Sequence, residues 1–516
     1  MRRLAMLLVV GCLIAAGAMA LAEEPRYGGV LRAAMQTNPP TLDPHKTTTT
    51  ATQQIACHVF EPLVAFDENF APQPVLLASW EAAEDNLSYT LHLRTGVKFH
   101  NGKLLTAEDV KASLERIIAI SPVSGYYDGV TEIDVVDDHT LQVRLSKPMN
   151  LVAAMTVQVT WQGIMPKEFA ENHDELRVGQ LIGTGPYKLV EWRPDVYVKL
   201  VRFPDYVPVE APASGFVGKK VAYLDEILFI PVKEVGARIA GLETGEYDYA
   251  EALPIETLKT IQANRNLVPQ IVKPQWALVW ELNGKEWPTS NAKFRQALLA
   301  ALDMEFVVST VVMNDPNFYS VNPGFIFGPW SAWYTEAGKE HYNQANLERA
   351  RQLLKEAGYN GEDVVLLSNR DYYWMYRCTL AAAACLERAG IRVKIEFSDW
   401  PSQIGKALTL KGWNINQTGW SPNEDPVRTK GSLLCGAPYA YGYCNPKMDQ
   451  LLDQISRPAS FEERKEIWEQ IQLLYYDDVP VIFFGYIFGL DATRAEVQDY
   501  RPWYVVPRFW NVWKRG

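Results

Sequence analysis

The sequence predicts a layered α/β protein, and three observations carry that prediction. Period-2 and period-3.6 hydrophobic patterns interleave along the whole chain. The helical stretches carry recognisable caps. Strand, helix and strand also follow one another, most clearly from Leu380 to Phe397. At 516 residues the chain is too long for one core, and roughly 150 residues per domain gives about three units. There is no internal repeat and no low-complexity linker.

Met1 to Ala22 reads as an export leader. Arg2 and Arg3 precede an apolar run from Leu4 to Ala18, and Ala18-Met19-Ala20 or Ala20-Leu21-Ala22 offers the small residues of a cleavage site. The apolar run falls short of the roughly 20 residues a spanning helix needs. Val9-Val10-Gly11-Cys12 resembles a lipoprotein box, but apolar sequence continues past Cys12, which suits an ordinary leader better. Further on, Tyr89-Thr90-Leu91-His92-Leu93-Arg94 and Leu141-Gln142-Val143-Arg144-Leu145 alternate as half-buried strands do. Thr106 with Asp109 starts a helix through Val110, Leu114 and Ile117. Asn346 starts another and Gly358 ends it. Ile391 to Phe397 is the cleanest alternation of all, and Ser460 with Glu463 opens the amphipathic run Ile467-Trp468-Ile471-Leu474.

Composition narrows the function. Apolar residues make up 48% and charged residues 22%, which excludes wholesale disorder. With 50 Lys+Arg against 61 Asp+Glu the net charge is -11, so nucleic acid is not an expected partner. HExxH, GxSxG, Walker and CxxC patterns are absent, and the seven histidines are scattered, so no metal or cofactor site is expected. Gly183-Thr184-Gly185-Pro186 reads as a tight turn rather than a dinucleotide loop. Carboxylates abound without any two marked out for glycoside hydrolysis, which leaves an exported hydrolase as the alternative to a binding protein. Cys435 and Cys444 bracket a loop with Gly436, Pro438 and Gly442 and are a candidate disulfide of an oxidising compartment. Cys378 and Cys385 sit about 10 Å apart along one helix, too far to bridge, and read as buried thiols.

Several segments resemble the extracellular solute-binding proteins of family 5, the peptide, opine and nickel receptors of ABC importers. Tyr27-Gly28-Gly29-Val30-Leu31-Arg32, Thr41-Leu42-Asp43-Pro44-His45-Lys46 and Leu87 to Gly102 carry the likeness. So do Leu105 to Val110, Gly183 to Tyr187, Phe294 to Asp303, and Tyr443-Cys444-Asn445-Pro446. They span the chain in the family's order. The resemblance implies the type II periplasmic-binding-protein fold, a Venus flytrap with an extra inserted domain. Lobe I would be 23–68, 188–280 and 487–516, lobe II 69–187 and lobe III 281–486, with hinge segments near Leu282 and Phe488. A peptide or peptide-like ligand, or alternatively an opine, oligosaccharide or other anionic or aromatic solute, held between lobes I and III would be delivered to a permease, which couples to ATPase subunits. The protein would be periplasmic and monomeric, with no catalysis of its own.

The same resemblance nominates ligand contacts. Thr47 to Thr50, with Thr48, Thr49 and Thr50 as candidate contacts, is either an extended segment pairing with a peptide or a solvated loop. Thr418-Gly419-Trp420-Ser421 would be the opposite side, with Gly419 allowing a close backbone approach. Asn423 stands where dipeptide and oligopeptide receptors place an aspartate for the ligand α-ammonium, and Glu424 or Asp425 would have to replace it. Arg370 would clamp a ligand carboxylate or else form a surface ion pair. Trp400 would line the pocket, near Tyr372, Tyr373, Trp374 and Tyr376. Keeping the arginine while losing the aspartate favours an anionic or amine-blocked ligand, such as an opine or other conjugate, over a free peptide.

Overall fold

The computed structural model describes residues 23–47, 49–156, 159–457 and 460–516. The leader expected at 1–22, Cys12 and Thr48 lie outside the described residues. β1 (Val30–Met35) comes first. β2 (Val64–Phe66) and β3 (Pro72–Pro74) form a short ribbon. β4 (Leu77–Ala82), β5 (Ser88–Leu93), β6 (Val130–Asp137) and β7 (Thr140–Leu145) make an antiparallel sheet in the order β4-β5-β7-β6. β8 (Tyr187–Arg193), β9 (Tyr197–Arg202), β10 (Glu226–Pro231) and β11 (Tyr249–Leu253) follow, then the long β12 (Leu267–Leu282). β13 (Tyr319–Ser320), β14 (Asp363–Asn369), β15 (Arg392–Ser398), β16 (Ile415–Trp420) and β17 (Val481–Arg494) complete the larger sheet. It has 11 strands on the path β15-β14-β16-β12-β17-β11-β1-β10-β9-β8, with β13 beside β17.

The local signals become the elements they announce. β5 and β7 bury every second residue. Asp109 accepts the Thr106 backbone N–H at 3.0 Å at the head of helix Ala107–Ile120. Asn346 Oδ1 accepts the Arg349 N–H, and Gly358, at φ +78°, closes helix Leu347–Ala357 in the left-handed region. Ser460 and Glu463 cap helix Phe461–Asp478 reciprocally. Helix Tyr373–Ala389 joins the parallel strands β14 and β15. The quoted motifs turn inward. Asp43 takes a two-pronged bond from Arg116, at 3.0 and 2.6 Å, with both side chains fully buried. A Cβ at Gly183 or Gly185 would stand 2.1 or 2.4 Å from the carbonyls of Val59 and His58, so the turn exists to let two backbones touch.

Two segments run the length of the large sheet. β12 and β17 pair antiparallel from Leu267↔Arg494 to Glu281↔Val481, and the register breaks between Val272 and Trp276, where Pro274 has no N–H to give. That break lies opposite Ile487–Gly489, near the Phe488 expected for the hinge. Leu282, expected as the other crossing point, ends β12 and is buried beside β16. The Cys435 and Cys444 sulfurs are joined, at 2.06 Å, while Cys57, Cys378 and Cys385 are free and buried. No helix among the described residues is long and apolar enough to cross a membrane.

Candidate functional site

Strand direction defines the site. β1 runs parallel to β10 and β11, and β14 runs parallel to β15 and β16. The carboxyl end of β11 reaches Leu490 and that of β16 reaches Ala277, opposite Tyr486, so both bundles of strand ends converge on the break in the β12–β17 pair. Ligands of open α/β sheets sit outside such carboxyl ends. Arg370 follows β14, Trp400 follows β15, and Gly419, Trp420 and Ser421 close β16, so the structure gathers these five at one end of the sheet. β14 pairs with β16 only as far as Asn416, and Gln417–Trp420 therefore have a strand neighbour on one side, β12.

The threonine segment differs from its expectation. Thr50 begins helix Thr50–Val59 and Thr49 is its N-cap, so the run does not continue as an extended strand. Thr49 Oγ1 lies 3.0 Å from Thr52 Oγ1, and Thr52 donates to the Thr41 carbonyl at 2.6 Å. Threonine favours strands, and Thr49 keeps an extended backbone as the N-cap, without a side-chain bond to the helix backbone; the helix begins only at Thr50.

On the β14–β16 side, each nominated group has a definite environment. Arg370 is exposed and lies over the rings of Phe397 and Tyr376, at 4.9 and 5.5 Å, with no ion pair among the described residues. Gly419 makes room for Trp374, whose ring a Cβ would meet at 2.5 Å. Trp420 donates its Nε1–H to Glu281 at 3.0 Å. Ser421 accepts from Arg428 at 2.6 Å. Asn423 is 7% exposed and its amide has no hydrogen-bond partner among the described residues. Glu424 and Asp425 are both paired with arginines. Glu424 pairs with Arg428 at 3.0 Å and accepts the Tyr504 hydroxyl at 2.6 Å. Asp425, counted among the expected contacts, is held by both Arg464 nitrogens at 2.9 and 2.6 Å and caps Val427. A row of rings, Trp276, Trp374, Tyr372 and Trp400, runs along this wall with centroids 6.1, 5.7 and 5.8 Å apart.

The β1–β11 side contributes groups the sequence reading passed over. Glu251 accepts the Gln36 N–H and Gln54 Nε2–H, each at 2.6 Å, and burial pushes its carboxyl up to about 7. Asp491 accepts the Tyr249 hydroxyl and the Ala252 N–H, and burial pushes it up to about 6. On the opposite wall burial likewise pushes Glu281 up to about 7. Glu281 and Asp491 each had a signal, a lone carboxylate inside an apolar strand: Leu278-Val279-Trp280-Glu281-Leu282 and Phe488-Gly489-Leu490-Asp491-Ala492. Two surface cavities, about 400 Å³ beside Arg508 and Trp510 and about 310 Å³ beside Arg295 and Asp478, lie away from both walls. Among the described residues no group of His, Cys, Asp and Glu is placed to hold a metal ion.

Comparison with known proteins agrees with this architecture. The chain is 27% identical over 501 residues to a "Probable peptide ABC transporter periplasmic-binding protein y4tO" of Sinorhizobium fredii, covering 92% of this chain and 91% of that protein. It is 26% identical to the "Glutathione-binding protein GsiB" of Pectobacterium atrosepticum, covering 90% of each. Its fold is that of the periplasmic binding protein AgaA from A. tumefaciens R10, solved with agropinic acid. The TM-score is 0.75 at 23% identity, over 95% of this chain and 99% of that one. The profile of the "Bacterial extracellular solute-binding proteins, family 5 Middle" matches residues 71–437. The chain therefore belongs to family 5 of the bacterial extracellular solute-binding proteins, which hold a solute and carry out no chemistry on it.

Proposed function

We propose that the protein is the periplasmic, monomeric receptor of an ABC importer, and that it captures a peptide or peptide-like solute between lobes I and III for delivery to a permease and its ATPase. The named relatives support the transport role. The observation that carries the ligand class is the strand edge beyond Gln417, whose own carbonyl already accepts from Gln403 at 2.8 Å: one hydrogen-bonding side of Thr418–Trp420 has no strand neighbour. An extended backbone added there would be bound as a further strand. Lobe II is the β4–β7 sheet with its helix, the leader is cleaved, and the break at Lys273–Gln275 with Phe488 is the hinge, which moves the lobe I boundary several residues ahead of 280.

A second reading, an amine-blocked or opine-like anion, is favoured by one set of contacts. Glu424 and Asp425 are committed to arginines, Asn423 carries no charge, and Arg370 has no carboxylate partner. The test is mass spectrometry of natively purified protein against the denatured chain, followed by calorimetry with free dipeptides, N-acetylated dipeptides and agropinic acid. Tighter binding of the blocked or opine ligands, lost in Arg370→Ala, supports the second reading. Submicromolar binding of free dipeptides that Arg370→Ala leaves intact overturns it. Turnover of a generic ester or glycoside would overturn both.

A further inference from the structure

Behind the β14–β16 wall lies a chain of buried polar side chains that no ligand contact requires. The Tyr372 backbone N–H donates to Asn369 Oδ1 at 3.0 Å. Asn369 Nδ2 donates to Gln403 Oε1 at 2.7 Å, and Gln403 Nε2 to Asn416 Oδ1 at 2.7 Å. Asn416 Nδ2 then donates to Glu281 Oε2 at 2.9 Å. From the other direction Trp420 Nε1–H donates to Glu281 Oε1 at 3.0 Å. Every donor in this chain points towards one carboxylate. Glu281 is 3% exposed, and the groups facing it are Asn416 and Trp420 of β16 and Tyr441 of the loop before Tyr443, all neutral. Across β17 its strand partner is Val481.

That polarity has a cause. A carboxylate only accepts, so Asn416 must turn its NH₂ towards it, which turns its oxygen towards Gln403. Gln403 is held in the same sense from a second side, since its Nε2 also donates to the Gln417 carbonyl at 2.8 Å, and Asn369 is held at its far end by the Tyr372 N–H. The chain ties together the turn that carries Arg370 and Tyr372, the helix Trp400–Leu408 that begins with Trp400, and the Trp420 indole.

We propose that Glu281 is the positioning residue of the solute site: as the sole charged acceptor of this chain it fixes the Trp420 ring and the Asn369–Tyr372 turn relative to one another. The proposal rests on the β14–β16 wall being the solute wall. Its test needs no solute and so stands or falls separately. Protonating Glu281 removes its charge and turns one oxygen into a donor, which the Tyr441 hydroxyl can accept, and so weakens the bonds from Trp420 and Asn416. The buried carboxyl, pushed up to about 7, makes that change accessible at ordinary pH.

The experiment is a pH titration from 5 to 9 of the full mature chain with ¹⁵N in tryptophan and tyrosine. The Trp420 indole and Tyr372 amide resonances are assigned by their loss in Trp420→Phe and Tyr372→Phe. In the wild type both shift with a common midpoint near 7. Glu281→Gln, isosteric and not titrating, abolishes both shifts. Gln403→Met, which cuts the chain at its middle, abolishes the Tyr372 shift and leaves that of Trp420. A Trp420 resonance flat across the range in the wild type, or one that titrates unchanged in Glu281→Gln, overturns the proposal. So does a Tyr372 shift that survives Gln403→Met. Should Glu281→Gln fail to fold, the wild type and Gln403→Met decide the matter.

Discussion

The two walls that meet at the β12–β17 break use the same residue types in opposite ways. In the loop after β16, Glu424 and Asp425 are each bound to an arginine, and Asp425 by both prongs of a buried guanidinium. Against β11, Glu251 and Asp491 are as deeply buried but are met by neutral donors, while nearby Arg238 spends its guanidinium on backbone carbonyls. The first arrangement sets each carboxylate against an opposite charge; in the second, burial raises both carboxyls. Burial alone does not set a carboxylate's behaviour. The partner does.

The contrast breaks most sharply at Asp425. Asp425→Ala leaves the Arg464 guanidinium buried without its counter-charge, and urea unfolding should show a loss of about 3–5 kcal/mol. Glu251 should show itself through pH instead. Its carboxyl is raised in the folded state, so its contribution is fully present below the unfolded value near 4.5 and is lost as pH rises through about 7. Comparing Glu251→Gln with the wild type at pH 5 and pH 8 should reveal a relative gain at pH 8 on the order of 2–3 kcal/mol. Burial holds His58 at about 3, and its contribution runs the other way, lost as pH falls. It is common to both proteins and cancels in the difference. An equal Glu251→Gln effect at the two pH values would erase the distinction between the walls.

Smaller effects sharpen it. Gly419→Ala would drive a methyl into the Trp374 ring, and thermal unfolding should register about 1–3 kcal/mol of lost stability together with a change in near-ultraviolet circular dichroism from the Trp276–Trp374 stack. Arg377→Ala removes a half-exposed pair with Glu256 that joins the β11 side to helix Tyr373–Ala389. Its effect on unfolding should stay below about 1 kcal/mol, as for other solvent-exposed pairs.

Much of this was legible in the sequence because the signals were local. Caps such as Asn346 and Ser460, and alternations such as that of β15, depend on neighbours within a few residues. The gathering of Arg370, Trp400 and Gly419–Ser421 was legible only through resemblance, because nothing local says that three strand ends meet. The threonine run misled for a physical reason: four β-branched residues favour extension, yet the Thr49 and Thr52 hydroxyls find partners at a helix start. The partner of Asp425, Arg464, was not legible because it lies 39 residues away. Glu281 went unread although a charge inside an apolar strand is itself a signal. What satisfies it, Asn416 and Trp420, becomes visible only once β16 is laid beside β12.

The pairing of β12 with β17 has a mechanical consequence. Two separate strings joining two bodies would let them twist, shear and swing independently. Here the connectors are hydrogen-bonded to each other on both sides of a gap only a few residues long, so they form a ribbon. A ribbon is stiff to stretching and to shear within its plane and compliant to bending across it. With the proposed hinge, motion between the bodies would be reduced towards a single axis, set where Pro274 interrupts the ladder opposite Phe488. A jaw of that kind would return to the same bite each time.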